Sequence, residues 1–248
     1  MKFVVCVSYV PDTASKINVS LDGKSIEQAG ITYILNPYDE FAIEEALKLK
    51  EKFGGEVDII SLGGDKNKES IQKALAMGAD NGILLKDDSY RDSVAIASGL
   101  AEEIKTLNAD IIFFGKQSVD YDNGVIGQLT AELLGYNCVS VVTKLDITDK
   151  TVTAEREIEG GKEVITTSLP VVITAQKGLN EPRYASLKGI MAAKKKVIIE
   201  KTPSPFQSKV VIEGFTKPAP KQAGKIIGTD ASAAAELVRL LKEEAKVI

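Results

Sequence analysis

The stretch with the strongest chemical character is Gly115-Lys116-Gln117-Ser118-Val119-Asp120-Tyr121-Asp122-Asn123-Gly124-Val125-Ile126-Gly127-Gln128. It runs from an apolar strand-like segment into a helical pattern. Its glycines allow close backbone approach, and a helix start presents N–H groups with no intrahelical acceptor. Together these make an anion site suited to one phosphate, and an ordinary polar loop is the alternative. There is no Gly-rich Walker pattern ending in Lys-Ser/Thr, so the loop is not a phosphate-hydrolysing site by motif. Lys116 could serve as a catalytic lysine or pair in solvent with Asp120 or Asp122. Ser61-Leu62-Gly63-Gly64-Asp65 reads as a plain turn that could offer backbone to an adenine. Glu44/Glu45 and Glu102/Glu103 lie on helices beside lysines and read as solvated faces. Lys194-Lys195-Lys196 is either a docking patch or a soluble face.

Histidine is absent. That removes His-dependent triads, His-ligated zinc and haem, and imidazole acid–base chemistry. The two cysteines, Cys6 and Cys138, sit in apolar runs without metal or pairing spacing, which fits a reducing compartment. A net charge of −4 argues against a nucleic-acid binder or a polybasic membrane clamp. The apolar run after Lys2 is too short for a signal segment or a membrane span, so a cytoplasmic protein without membrane insertion is expected.

The elements that must hold such a loop follow from periodicity. Phe3–Val7, Val57–Ser61, Ile83–Leu85 and Ile111–Phe114 read as buried strands. Between them lie helical patterns: one opened by Asn36-Pro37-Tyr38-Asp39 with Asp39 as a cap, then Ser70–Met77, Asp92–Leu107 and Gly124–Leu134. This alternation predicts an α/β, Rossmann-like (adenine nucleotide α-hydrolase-like) fold, a mostly parallel sheet with helices on both faces. Val139–Asp146, Thr151–Ile158 and Glu163–Thr167 then read as an antiparallel segment, followed by strand Val171–Thr174. Residues 201–228 hold little periodicity and read as an extended C-terminal arm. Asp230 caps a last helix through Lys246. In an open parallel sheet ligands sit at the carboxyl ends of the strands, which puts the 115–127 loop at the predicted site.

Several segments resemble one family. Ala154-Glu155-Arg156-Glu157-Ile158-Glu159-Gly160-Gly161-Lys162-Glu163, followed by Leu169-Pro170-Val171-Val172-Ile173-Thr174-Ala175, is similar to the signature of the electron-transfer flavoprotein β subunits. Asn36-Pro37-Tyr38-Asp39, Ala74–Asp80, Gly115-Lys116-Gln117 and Leu179-Asn180-Glu181-Pro182-Arg183-Tyr184-Ala185 match in order. The resemblance covers about residues 1–200. It implies a heterodimer in which an α subunit holds FAD and this subunit buries one AMP as a structural ligand. The pair would take electrons from acyl-CoA dehydrogenases or other flavin dehydrogenases. It would pass them, one at a time, to an electron-transfer flavoprotein–quinone oxidoreductase. A hinged flavin domain would let the flavin approach successive partners. The chain itself would carry no catalytic residues.

By position, the resemblance implies AMP contacts from Cys6, Asn36, Pro37, Tyr38, Asp39 and Leu62. It adds Gly115, Lys116, Gln117, Ser118, Val119, Asp120, Tyr121, Asp122, Asn123, Gly124, Val125 and Ile126. Tyr38 takes the place of an aromatic near the partner's flavin, or else it packs at a helix start. The segment 176–197 resembles a recognition loop. Leu187 would be its anchor in a dehydrogenase pocket, with Ile190, Met191, Lys194 and Lys195 beside it; packing of Leu187 on its own helix is the alternative. Residues 1–200 would form the nucleotide domain, and 201–248 would pack on the α subunit.

The chain departs from relatives at Gly124-Val125-Ile126, where they often carry Asn-Gln-Thr, so backbone N–H groups must do more. Tyr9 replaces a residue that is often basic, and Thr13 an aromatic near the flavin. A bifurcating branch binds a second FAD in place of AMP, with Gly and Pro where this chain has Tyr121 and Gln128; that comparison favours AMP. An adenine-nucleotide enzyme or a sensor module of the same fold is the remaining alternative. The enzyme would need a pyrophosphate motif after the first strand, where Ser8-Tyr9-Val10-Pro11-Asp12 stands instead.

Overall fold

The computed structural model describes residues 1–221 and 223–248. The chain begins with β1 (Lys2–Cys6), β2 (Tyr9–Pro11), β3 (Tyr33–Leu35), α1 (Pro37–Phe53) and β4 (Glu56–Gly63). It continues through α2 (Lys68–Met77), β5 (Asn81–Lys86), α3 (Ser93–Leu107), β6 (Ile111–Gly115) and α4 (Ile126–Leu134). Then come β7 (Asn137–Thr148), β8 (Thr151–Ile158), β9 (Gly161–Ser168), β10 (Val171–Ala175), α5 (Leu187–Ala193), β11 (Ile198–Lys201) and α6 (Ala234–Glu243).

One nine-stranded sheet has the order β11-β5-β4-β1-β6-β10-β7-β8-β9. Every pairing from β11 to β7 is parallel, and β7-β8-β9 pair antiparallel. The central strands β1, β6 and β10 are buried on both faces, which is why they read as unbroken apolar runs. Alternate residues serve opposite cores. Phe3 and Val5 pack with Ile43 and Leu47 of α1 and Ile71 of α2. Val4 and Cys6 pack with Leu100 and Ile104 of α3 and Ala131 of α4. The helix after β1 therefore lies on one face, and the helix before β6 on the other. A crevice opens at their carboxyl ends, where the winding reverses.

The predicted Rossmann-like core and antiparallel segment are present. Three details differ. β2 and β3 form a separate antiparallel pair, and β11 adds a parallel edge strand beside β5. Asp230 caps a single 3-10 turn (Ala231–Ala233) rather than the last helix, and α6 stops at Glu243. Among the described residues, the arm from 202 to 230 contains no helix or strand. It is nonetheless tied to the body. Arg91 Nη2 donates to the Ser204 carbonyl at 3.0 Å, Lys24 Nζ to the Glu213 carbonyl at 2.7 Å, and Phe215 N–H to the Gly23 carbonyl at 2.8 Å. Among the described residues no helix is long and apolar enough to cross a membrane.

Candidate functional site

A cleft of about 760 Å³ opens at the carboxyl ends of β1, β4 and β6. Cys6, Leu62, Leu100 and Phe114 supply apolar lining, and the loop after β6 supplies one wall. Of the residues named from sequence, Cys6, Asn36, Asp39, Leu62, Gly115, Lys116, Gln117, Ser118, Asp120, Tyr121, Asn123 and Ile126 line it. Pro37, Tyr38, Val119, Asp122, Gly124 and Val125 do not.

Asn36 and Asp39 bind the cleft's edges together. Asp39 accepts from Ser8 N–H at 2.8 Å, Gly115 N–H at 3.1 Å and Asn36 Nδ2 at 2.9 Å. Asn36 Nδ2 also donates to the Gln117 carbonyl at 2.9 Å, and its Oδ1 accepts from Val119 N–H at 3.3 Å. Asp39 is thus no helix cap, contrary to the sequence reading. Asn36 holds the capping position without a side-chain cap bond, and the Asp39 carboxylate points across to the ends of β1 and β6. Gly115 is required here, because a Cβ would lie 2.7 Å from Tyr38 Cβ and 2.8 Å from its carbonyl carbon. Lys116 Nζ lies 5.0 Å over the Tyr38 ring instead of pairing with Asp120 or Asp122. Asp122 instead accepts from Gln117 Nε2 at 3.0 Å.

The far wall is the start of α4. Val125 at its capping position makes no side-chain cap bond, so the first-turn N–H groups lack an intramolecular acceptor of that kind. Ile126 and Gly127 of that turn line the cleft. Gly127 lets the turn sit on the sheet, since a Cβ would fall 2.6 Å from Thr174 Cγ2. In the same turn Gln128 Oε1 is buried and has no hydrogen-bond partner among the described residues. The remaining wall, which no sequence pattern foretells, comes from the arm: Lys209, Val210, Ile212 and Phe215. Asp92 latches it, accepting from Lys209 N–H at 2.6 Å and Val210 N–H at 3.2 Å while capping α3.

Burial pushes the Asp39 carboxyl up to about 7, against the hydrogen bonds from Asn36, Ser8 and Gly115. Its folded value lies above its ordinary one near 3.8. Stability from its protonation is therefore full below that value and is lost as pH rises through about 7. Thermal midpoints of wild type and Asp39→Asn, measured across this window, should show wild type losing ground to the variant as pH rises. A constant difference would contradict the assignment. Burial also pushes the Cys6 thiol well up, which makes it a packing group and not a nucleophile. Among the described residues no cluster of three or more side chains could hold a metal.

A family model described as the electron transfer flavoprotein domain matches residues 24–205. The electron transfer flavoprotein subunit beta of Syntrophomonas wolfei is 43% identical over 249 residues, covering 100% of this chain and 98% of its own. That of Bacillus subtilis is 41% identical over 260 residues, and the mitochondrial one of Arabidopsis thaliana 37% over 255, each with full coverage of both chains.

The chain belongs to the electron transfer flavoprotein family.

In this electron transfer flavoprotein chain a second surface stands apart from the cleft. Ser186 caps α5, accepting from Gly189 N–H at 3.0 Å. Leu187 is 83% exposed and Met191 67%, so Leu187 does not pack on its own helix. Ile190, Lys194 and Lys195 are exposed beside them. Lys196 turns back, donating to the carbonyls of Ala79 at 2.6 Å and Asp80 at 3.0 Å. Glu44 and Glu45 are not a solvated face; both are buried under the loop that leads to α5. Glu103 is buried too and pairs with Lys201 at 2.7 Å. The cations that pair with Glu44 and Glu103 come from segments distant in sequence, so helical spacing alone could not show this.

Proposed function

We propose that this chain is the small subunit of a heterodimeric electron carrier, that its cleft holds one AMP as a structural ligand, and that α5 docks the electron donor. The observation that carries the nucleotide reading is the start of α4: unsatisfied N–H groups and the positive end of a helix dipole, beside an apolar slot at the switch point. The slot suits an adenine against Cys6 and Leu62. The first turn of α4 suits a phosphate without any side-chain hydroxyl or amide from positions 124–126. Asn36 and Asp39 hold the phosphate loop in place.

FAD, held mainly by the α subunit, would supply the redox chemistry when bound. This chain's part is to position and to recognise. Leu187 and Met191 present a small apolar plug to an acyl-CoA dehydrogenase or a similar flavin dehydrogenase, with Lys194 and Lys195 steering acidic surfaces. Electrons would leave to a quinone oxidoreductase. The arm and α6 leave Ile226, Leu237, Val238, Val247 and Ile248 exposed, an apolar surface suited to an α subunit.

One observation favours a second reading. The cleft adjoins a hollow of about 880 Å³ lined by Tyr9, Tyr33 and Tyr121, with the rings of Tyr9 and Tyr33 stacked at 5.4 Å. A longer ligand, a second FAD, could extend into it. Tyr121 and Gln128, where the bifurcating branch has Gly and Pro, favour AMP.

Co-expression with an α-subunit gene tests the carrier role. The isolated chain should show little or no flavin absorbance. The heterodimer should be yellow and should bleach when an acyl-CoA dehydrogenase and its acyl-CoA are added. A heterodimer that no flavin dehydrogenase reduces would overturn it.

A further inference from the structure

The docking helix is too short to place itself. α5 has only seven residues, and Ala193 is its one buried side chain. A helix of this length is marginal without tertiary support. Its support lies upstream, in the loop that delivers it. Arg183 grips Glu44 of α1 with a two-pronged bond, Nε to Oε2 at 2.8 Å and Nη2 to Oε1 at 2.9 Å. Its third nitrogen, Nη1, reaches Glu51 about two turns further along α1, at 2.5 Å. The Arg183 N–H adds a bond to Glu44 at 3.1 Å. Asn180 completes the seam, with Nδ2 donating to the Phe41 carbonyl at 3.0 Å and to Glu45 at 2.9 Å.

Glu44 is 5% exposed, so its charge is compensated almost wholly by Arg183. A planar fork matched to a carboxylate fixes direction as well as distance, which a lysine cannot reproduce. On the far side Gly189 rests α5 on α2, where a Cβ would run into the Ala76 carbonyl. The loop is therefore clamped to α1 before the helix and seated on α2 within it.

We infer that Arg183 is a positioning residue for partner docking: its fork on Glu44 sets where Leu187 and Met191 stand. The inference rests on the docking reading above. Arg183 touches neither partner nor cofactor in this role; it acts through the loop.

The test uses the heterodimer co-expressed with its α subunit, and a purified acyl-CoA dehydrogenase with its acyl-CoA substrate. Arg183→Lys keeps the charge and loses the fork. It should raise the KM for the heterodimer about tenfold, with kcat within about twofold and FAD content unchanged. Glu44→Gln should do the same, and the double variant should add little to either. Amides of residues 186–193 should exchange about tenfold faster in Arg183→Lys, with β1 and β4 unchanged. Unchanged KM and exchange in Arg183→Lys, alongside a weakened Leu187→Ala, would overturn the positioning role. A Leu187→Ala heterodimer with wild-type KM would instead overturn the docking reading, and the exchange data would then decide the clamp alone. If Glu44→Gln fails to fold, Arg183→Lys and its exchange pattern carry the decision.

Discussion

Asp39→Ala is expected to cost the protein about 3–5 kcal/mol of stability, because it strands buried donors at about 1–3 kcal/mol each. Those donors are Ser8 N–H, Gly115 N–H and the Asn36 amide, and Asp39 is 4% exposed. For a chain of this size such a loss lowers the thermal midpoint by roughly 10 °C or more. The damage should also reach the cleft, since the same carboxylate ties the end of β1 to the loop after β6. Urea unfolding of the heterodimer, with nucleotide content measured in parallel, checks both effects. A loss below about 1 kcal/mol would mean that the carboxylate is not the hub its bonds describe.

Leu187→Ala is expected to leave folding untouched and to lower kcat/KM with a flavin dehydrogenase by about 30-fold. That corresponds to about 2 kcal/mol, the threshold of an interface hot spot. Leu187 is 83% exposed, so its removal takes nothing from the core. Under the proposed docking role the loss falls on KM, because Leu187 would then act in recognition and not in the electron step. Steady-state reduction at varied heterodimer concentration, with thermal midpoints as control, separates the two. A fall in stability with unchanged KM would place Leu187 in the fold instead of the interface.

Sequence alone made much of this architecture legible, for a physical reason. β1, β6 and β10 are covered on both faces, so their burial is written in consecutive apolar residues. α4 follows a polar loop directly, so its start could be located to within two residues. The hairpin of β2 and β3 was not legible: each strand has three residues, and Pro11 interrupts any strand pattern. β11 follows a lysine run, and only its pairing with β5 makes it a strand. The cleft was found from its loops, yet its fourth wall was not. Lys209 to Phe215 carry no pattern, and what holds them there is Asp92, far away in the chain. Glu44 shows the same limit. Its neighbours on α1 suggest solvent, and only the return of Arg183 explains its burial. Asp39 shows a further limit: a carboxylate at a helix start usually caps, and this one reaches across to the ends of two strands.

We propose that this polypeptide holds an adenine nucleotide as a fixed part of its structure while the redox group is held elsewhere. The most direct measurement is to denature the purified heterodimer and quantify what it releases. One AMP and one FAD per heterodimer is the predicted result. Two FAD and no AMP, or no adenine nucleotide beyond a single FAD, would contradict it.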